Sequence, residues 1–242
     1  MKYRNAIILV FVIIIIDQWL KIYIKTHFAN GDELNVAGGW FNIHFIENEG
    51  MAYGLKIMNS EFGKILLTTF RLCAVIFGFF LLKNLVKRQY GKLIIICGSL
   101  ILAGALGNLI DSFFYGLLFT DSIEKNCGFT NVYNSLDTII NHNNNATAIA
   151  HFTKIGSGYG KFMQGKVVDM LYFPLHTFHN LPSWFPFKDE RNDFTFFNAI
   201  FNVADAAISV GVMLLIFRLY VLNFFSQLKL KKNSKIENND VV

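Results

Sequence analysis

Four aspartates and three asparagines stand in or beside apolar sequence, where polar groups are expensive: Asp17, Asp111, Asp169 and Asp205, with Asn48, Asn108 and Asn202. A charged group inside a membrane-spanning segment is costly and by default marks function, with a partner to be found. The most conspicuous case is FFNAIFNVADAAISVGVMLL, residues 196 to 215, which carries a single carboxylate, Asp205. Asn198, Asn202, Asp205 and Ser209 fall at i, i+4, i+7 and i+11, so a helix continuous from 196 would place them on one face. Two carboxylates held close in a low dielectric cannot both ionise comfortably, and the pair shares a proton. Its ionised member can activate a water while its protonated member polarises a carbonyl, which is the chemistry of amide hydrolysis. Intramembrane carboxylates also serve as proton relays, so the residues alone leave a proton-coupled transporter open beside a peptidase. No Ser-His or Cys-His pairing, HExxH motif or glycine-rich phosphate loop accompanies them. His176-x-x-His179 has no further ligand pattern around it, so no metal site is expected there.

The elements that must position these groups follow from composition. Of 242 residues, 53% are hydrophobic and only 16% charged, with a mean hydropathy of +0.40. Soluble domains average about 25% charged residues, so the membrane class is favoured. The net charge of +5 sits in short basic runs beside apolar segments. That is the positive-inside pattern and not a nucleic-acid footprint. Cys73, Cys97 and Cys127 show neither a disulfide framework nor zinc spacing.

Four spanning helices are expected within a single membrane-embedded domain, 1–242, at about 5–25, 64–83, 93–111 and 196–217. The first begins with the basic MKYR, but its apolar run is long and no A-x-A site follows, so it reads as retained. Asp17 and Lys21, four apart, suit an intrahelical ion pair. Alternation in WFNIHFIEN predicts a short strand pair at the membrane surface, before the glycine-rich NEGMAYG. Arg71 lies inside the second helix, roughly 10 Å below Lys64 at about 1.5 Å per residue, where it must snorkel, pair with a carboxylate or meet a lipid phosphate. Ala103-xxx-Gly107 and Gly104-xxx-Asn108 let helices approach closely. Residues 112–195 are too long for a simple connection and read as a small extramembrane subdomain or a partly mobile loop, with Trp184, Phe185 and Phe187 as an aromatic belt.

Basic residues near helix ends cluster at Lys2 and Arg4, in the 83–92 loop and from 218 to 235. An even number of helices puts all three on one side, the cytoplasmic one, with both termini and the tail 223–242. Asp17, Asn108, Asp111 and Asp169 then gather near the outer interface, with Asp205 roughly 12–15 Å along its helix. The expected fold is an all-α integral membrane protein of four transmembrane helices, with a small extracytoplasmic β-containing region and a long loop insertion.

Taken together, DQWLK (17–21), NEGMAYG (48–54), GALGNLID (104–111), GKVVDM (165–170) and FNVADAAI (201–208) resemble, in order, the motifs of lipoprotein signal peptidase. This is signal peptidase II, the bacterial four-helix aspartic protease family. The resemblance implies an endopeptidase that removes the signal peptide from diacylglyceryl-modified prolipoproteins, cutting just before the lipidated cysteine. It assigns the catalytic dyad to Asp169 and Asp205. Asn48, Gly50, Gly107, Asn108, Asp111, Asn202 and Arg71 would hold substrate and orient the dyad, and Asp17 and Lys21 match a first-helix motif of structural role. No metal or cofactor is implied, and prolipoprotein and membrane lipid are the implied partners. A monomer in the bacterial cytoplasmic (inner) membrane is expected, with its site at the outer leaflet and blocked by globomycin-type peptides. Three departures stand out. Ser112 occupies a position where the family commonly has Arg, so Arg71 or Lys21 is expected to substitute. Leu117 to Gln164 intervenes before the VVD segment as an extracytoplasmic loop insertion. Met170 replaces the usual Phe.

Overall fold

In a bilayer every backbone N–H and C=O must be satisfied within its own segment, so long apolar runs become helices. The computed structural model describes residues 1–48, 61–122, 149–182, 184–186 and 192–239, without side chains at 61 and 223–239. Its helices are α1 (Tyr3–His27), α2 (Glu61–Lys87), α3 (Lys92–Leu118) and α4 (Val203–Asn239). Four stretches among the described residues are long and apolar enough to cross a membrane: Tyr3–His27, Phe62–Lys87, Lys92–Leu118 and Val203–Leu222. The outer faces of α1, α2 and α4 present large exposed side chains, such as Phe11, Ile15, Phe70, Phe80, Met213 and Phe217.

Helix α3 is central and packs against the other three helices. Its small residues decide how closely. A Cβ added at Gly104 would lie 2.1 Å from the Ala204 carbonyl oxygen, and one at Gly107 would lie 2.7 Å from Asp17 Oδ2. Backbones of α3 and α4 therefore touch, as the small-residue spacing predicts.

Four strands form one antiparallel sheet in the order β1 (Glu33–Ala37), β2 (Phe41–Asn48), β3 (Val167–Tyr172), β6 (Ile200–Phe201). A two-stranded sheet pairs β4 (His176–Phe178) with β5 (Phe194–Phe196). Phe45, Val168 and Met170 pack with Ile24, Tyr115 and Phe119 from the ends of α1 and α3. Met170 is fully buried there, so the space open to a side chain at this position is apolar.

The flanks of the long excursion return to α3. Gly165 donates its N–H to Ser112 O at 2.9 Å, and Thr68 Oγ1 donates to Met163 O at 3.1 Å. A Cβ at Gly165 would lie 2.0 Å from Asp111 O, so this return passes against the helix backbone. Gly50, Cys127, Phe187 and the middle of the excursion lie outside the described residues.

One expectation is corrected. Helix α4 begins at Val203 and not at 196, because β5 and β6 occupy its expected first turns. Phe197 turns the chain with φ +63, a left-handed conformation that no helix continues through. Asn198 is therefore off the helical face, and its Oδ1 accepts the Tyr172 hydroxyl at 2.9 Å. Asp205 lies in the first turn of α4 and not two or three turns into it.

The Gly104 contact makes a prediction. Gly104→Ala drives a methyl into backbone and is expected to destabilise the folded protein by about 1–3 kcal/mol, as overpacking does. Gly98→Ala meets only the tips of Leu85 and Leu82, at 3.4 and 3.6 Å, and is expected to be neutral or better. Thermal unfolding of both variants in detergent decides this, and equal midpoints would remove Gly104 from the packing argument.

Candidate active site

The site is built around the first turn of α4. Asn202, at the N-cap, accepts the Asp205 N–H on Oδ1 at 2.8 Å, and Asp205 Oδ2 accepts the Asn202 N–H at 3.5 Å. This reciprocal N-x-x-D arrangement is a capping box, satisfying two N–H groups that the helix leaves free. The next free N–H, that of Ala204, is taken by Asp17 Oδ1 from α1 at 2.8 Å. Asn202 has one more task. Its Nδ2 donates to Asp169 Oδ1 at 2.7 Å and to Asn108 Oδ1 at 3.2 Å. One fully buried amide thus starts the helix that bears Asp205, through the Asp205 backbone N–H, and holds the carboxylate of Asp169.

Asp169 lies on β3 opposite Ile46, buried, with Asn48 Nδ2 donating to its Oδ2 at 3.2 Å. Burial, and then the charge of Asp205, push its carboxyl up to about 7 against the opposing hydrogen bonds from Asn48 and Asn202. Below about pH 7 Asp169 therefore keeps its proton, beside the charge of Asp205 that helps to raise it.

Lys21 forms the second layer. Its ammonium lies 3.0 Å from Asp17 Oδ2 and 2.7 Å from Asp111 Oδ2, and donates to Asn108 Oδ1 at 2.9 Å. Ammonium groups only donate, so the oxygen of Asn108 must face Lys21. Its Nδ2 is then left to reach Asp205 Oδ1 at 2.7 Å. Lys21 thereby orients an amide that contacts the pair, beyond the intrahelical ion pair that spacing alone indicates. Gln18 closes the layer, donating to Asp111 Oδ1 at 2.8 Å while its Oε1 accepts Tyr115 OH at 3.1 Å.

The remaining expected residues fall as follows. Asp111 is the partner of Lys21 and Gln18, one step removed from the pair. Gly107 serves by leaving room for Asp17 and Ala204. Arg71 Nη1 donates to Ser112 Oγ at 2.8 Å, and its charge acts on Asp111, Asp205 and Asp169. It therefore supplies a guanidinium beside the serine, while Lys21 is engaged elsewhere. Spacing does not single out Gln18 or Tyr115, although a Gln within an apolar helix beside Asp17 is a signal. Among the described residues no three His, Cys, Asp or Glu side chains group to hold a metal ion.

The family model described as signal peptidase (SPase) II matches residues 9–221. A lipoprotein signal peptidase of Porphyromonas gingivalis is 38% identical over 209 residues, covering 86% of this chain and 79% of that protein. One from Amoebophilus asiaticus is 30% identical over 206 residues, covering 84% and 72%. Among solved structures, a bacterial membrane enzyme determined by the in meso method shares the fold with a TM-score of 0.50 at 22% identity, over 90% of this chain and 88% of that one.

The pH dependence of hydrolysis tests the pair. The proton of Asp169 is expected to be lost as pH rises through about 7, so kcat/KM should fall on that alkaline side. The Asn48 hydrogen bond favours the ionised form, so Asn48→Ala should move this limb to higher pH. A limb that stays in place or moves down in Asn48→Ala would refute the assignment. Lys21→Met would strand Asp17 and Asp111 without their cation, with an expected loss of about 3–5 kcal/mol in detergent unfolding.

Proposed function

The chain belongs to the signal peptidase II family, and from that premise we propose that Asp169 and Asp205 are the catalytic dyad of an aspartic endopeptidase. The protein is a multi-pass bacterial membrane peptidase that removes the signal peptide from prolipoproteins. The observation that carries the dyad reading is Asn202, whose one side chain bonds to Asp169 and caps the turn bearing Asp205. Nothing in the site favours the transporter reading.

In the proposed reaction the dyad starts with one proton, on the Asp169 side. The negative charge then rests at the N-terminus of α4, where the Asn202 N–H and the helix dipole favour it. Asp205 takes a proton from water as the water oxygen bonds to the scissile carbonyl carbon. Asp169 gives its proton to the carbonyl oxygen, and a neutral tetrahedral intermediate forms. Its collapse breaks the C–N bond and returns a proton to Asp169, while the proton on Asp205 goes to the departing amine. The products are a free carboxyl on the signal peptide and a free amine on the mature chain, and the dyad again holds one proton. Asn108 and Asn48 keep the two carboxylates aimed at each other through these steps.

The proposed substrate detail is a prolipoprotein whose cysteine already carries diacylglycerol, cut just before that cysteine. The lipid then lies between helices, with the peptide bond at headgroup height. The proposed orientation places both termini in the cytoplasm and the site at the outer leaflet. It is supported by the basic residues Lys83, Lys87, Arg88 and Lys92, which flank the α2–α3 turn at the helix ends opposite the site.

The test is cleavage of diacylglyceryl-modified prolipoprotein by the purified protein in detergent, followed by mobility shift. Asp169→Asn and Asp205→Asn should each lower the rate by at least about 10²–10⁴, the usual contribution of a general acid or base. Either variant retaining the wild-type rate would mean that aspartate is not in the dyad. A globomycin-type peptide should abolish cleavage by the wild type.

A further inference from the structure

A second cluster of buried charge lies on the opposite face of the strand pair that bears Asp169. Glu47 of β2 has a side chain 1% exposed, yet two cations reach it. Its Oε1 is paired with Lys25 of α1, itself fully buried, and accepts Ser122 Oγ at 2.8 Å. Lys166 Nζ lies 3.2 Å from Oε2 and continues to Asp121 at 2.8 Å. Tyr159 sits between the two ammonium groups, 5.2 Å from Lys25 and 5.1 Å from Lys166, and its hydroxyl accepts the Lys166 backbone N–H at 2.7 Å.

Position in the strands gives this cluster its meaning. Successive side chains of a strand point to opposite faces. Glu47 therefore turns toward α1, while its neighbours Ile46 and Asn48 turn toward the face of Asp169, which is cross-strand from Ile46 and bonded to Asn48. The β2–β3 ladder is broken by a register shift between Ile43 and Ile46, so only three pairs follow before the described part of β2 ends. A one-residue slip in so short a ladder would turn Asn48 away from Asp169.

We infer that Glu47 is a positioning residue for the dyad: gripped by Lys25 and Lys166, it locks β2 against β3 and α1 in the register that puts Asn48 Nδ2 on Asp169 Oδ2. The inference rests on the reading of Asp169 as a dyad member. Asp121, Ser122 and Tyr159 come from the described flanks of the excursion, so this carboxylate adds a tie between those flanks and β2.

A double-mutant cycle on the full-length protein tests it, with kcat and KM for prolipoprotein cleavage measured in detergent and unfolding followed for each variant. Glu47→Gln is expected to lower kcat by about ten- to a hundredfold with KM little changed, as a small misplacement of a reacting group does. If Glu47 acts through Asn48, the double variant Glu47→Gln/Asn48→Ala should be no slower than Asn48→Ala alone, within about twofold. A double loss equal to the product of the single losses overturns the inference, and so does a wild-type kcat in Glu47→Gln. Should Glu47→Gln not fold, Lys166→Met keeps the Lys25 pair and enters the same cycle, where an additive loss or a wild-type kcat again overturns the inference. An active Asp169→Asn would sink the dyad reading itself, whereas an additive cycle sinks only the role of Glu47.

Discussion

Everything at the site depends on where helix α4 starts. A helix start leaves backbone N–H groups without partners, and where it is buried, as at Asn202 and Ala204, each must find one within the protein. Here they are taken by Asn202, by Asp205 itself and by Asp17 from another helix. The capping arrangement and the proposed Asp169–Asp205 dyad are therefore one structure. Moving the helix start by one residue would unpair the N–H groups and separate the two carboxylates together. The positive end of the helix also supplies a favourable field for the charge that the pair must hold.

Around that start the protein buries more charge than a stability argument alone would justify. Lys21 with Asp17 and Asp111, and Lys25 with Glu47, are taken almost wholly out of water. Replacing such buried pairs with apolar residues is often neutral or stabilising, so stability is a weak reason to keep them. Orientation is a better one. Asn108 has a donor end and an acceptor end of nearly equal shape, and only a neighbour that exclusively donates forces its NH₂ toward Asp205. Lys21 is that neighbour, and Asp17 and Asp111 keep the ammonium in place.

How much of this was legible in the sequence differs by residue. Asp169, Asp205, Asn108 and Asn202 stood out because polar groups in apolar sequence are rare and costly, and the structure gathers all four. The start of α4 did not stand out. Residues 196–201 are as apolar and aromatic as a spanning helix, and a period of 3.6 can be threaded through Asn198 by chance. The competing signal was present in N-x-x-D at 202–205, a capping box immediately before the apolar run. The role of Lys21 beyond its own helix, and the Lys25–Glu47–Lys166 contacts, were not legible because they join segments distant in the chain. Spacing reports neighbours on one element. It carries no information on which buried lysine meets which carboxylate across a sheet.

The glycines complete the physical account. Short hydrogen bonds among side chains of three helices and two strands require backbones nearer than ordinary side chains allow. Gly107 lets Asp17 reach Ala204, Gly104 admits the α4 backbone, and Gly165 lets the chain enter β3 against Asp111. Each lies within a few residues of a polar member of the site: Asn108, Asn108 again and Asp169. Close packing here is thus not a general device for membrane stability. It is what allows an Asp on a strand and an Asp on a helix, 36 residues apart in sequence (205 against 169), to be held by the same asparagine. A looser bundle with the same residues would keep every functional group and lose the contacts that tie Asp169 and Asp205 to one asparagine.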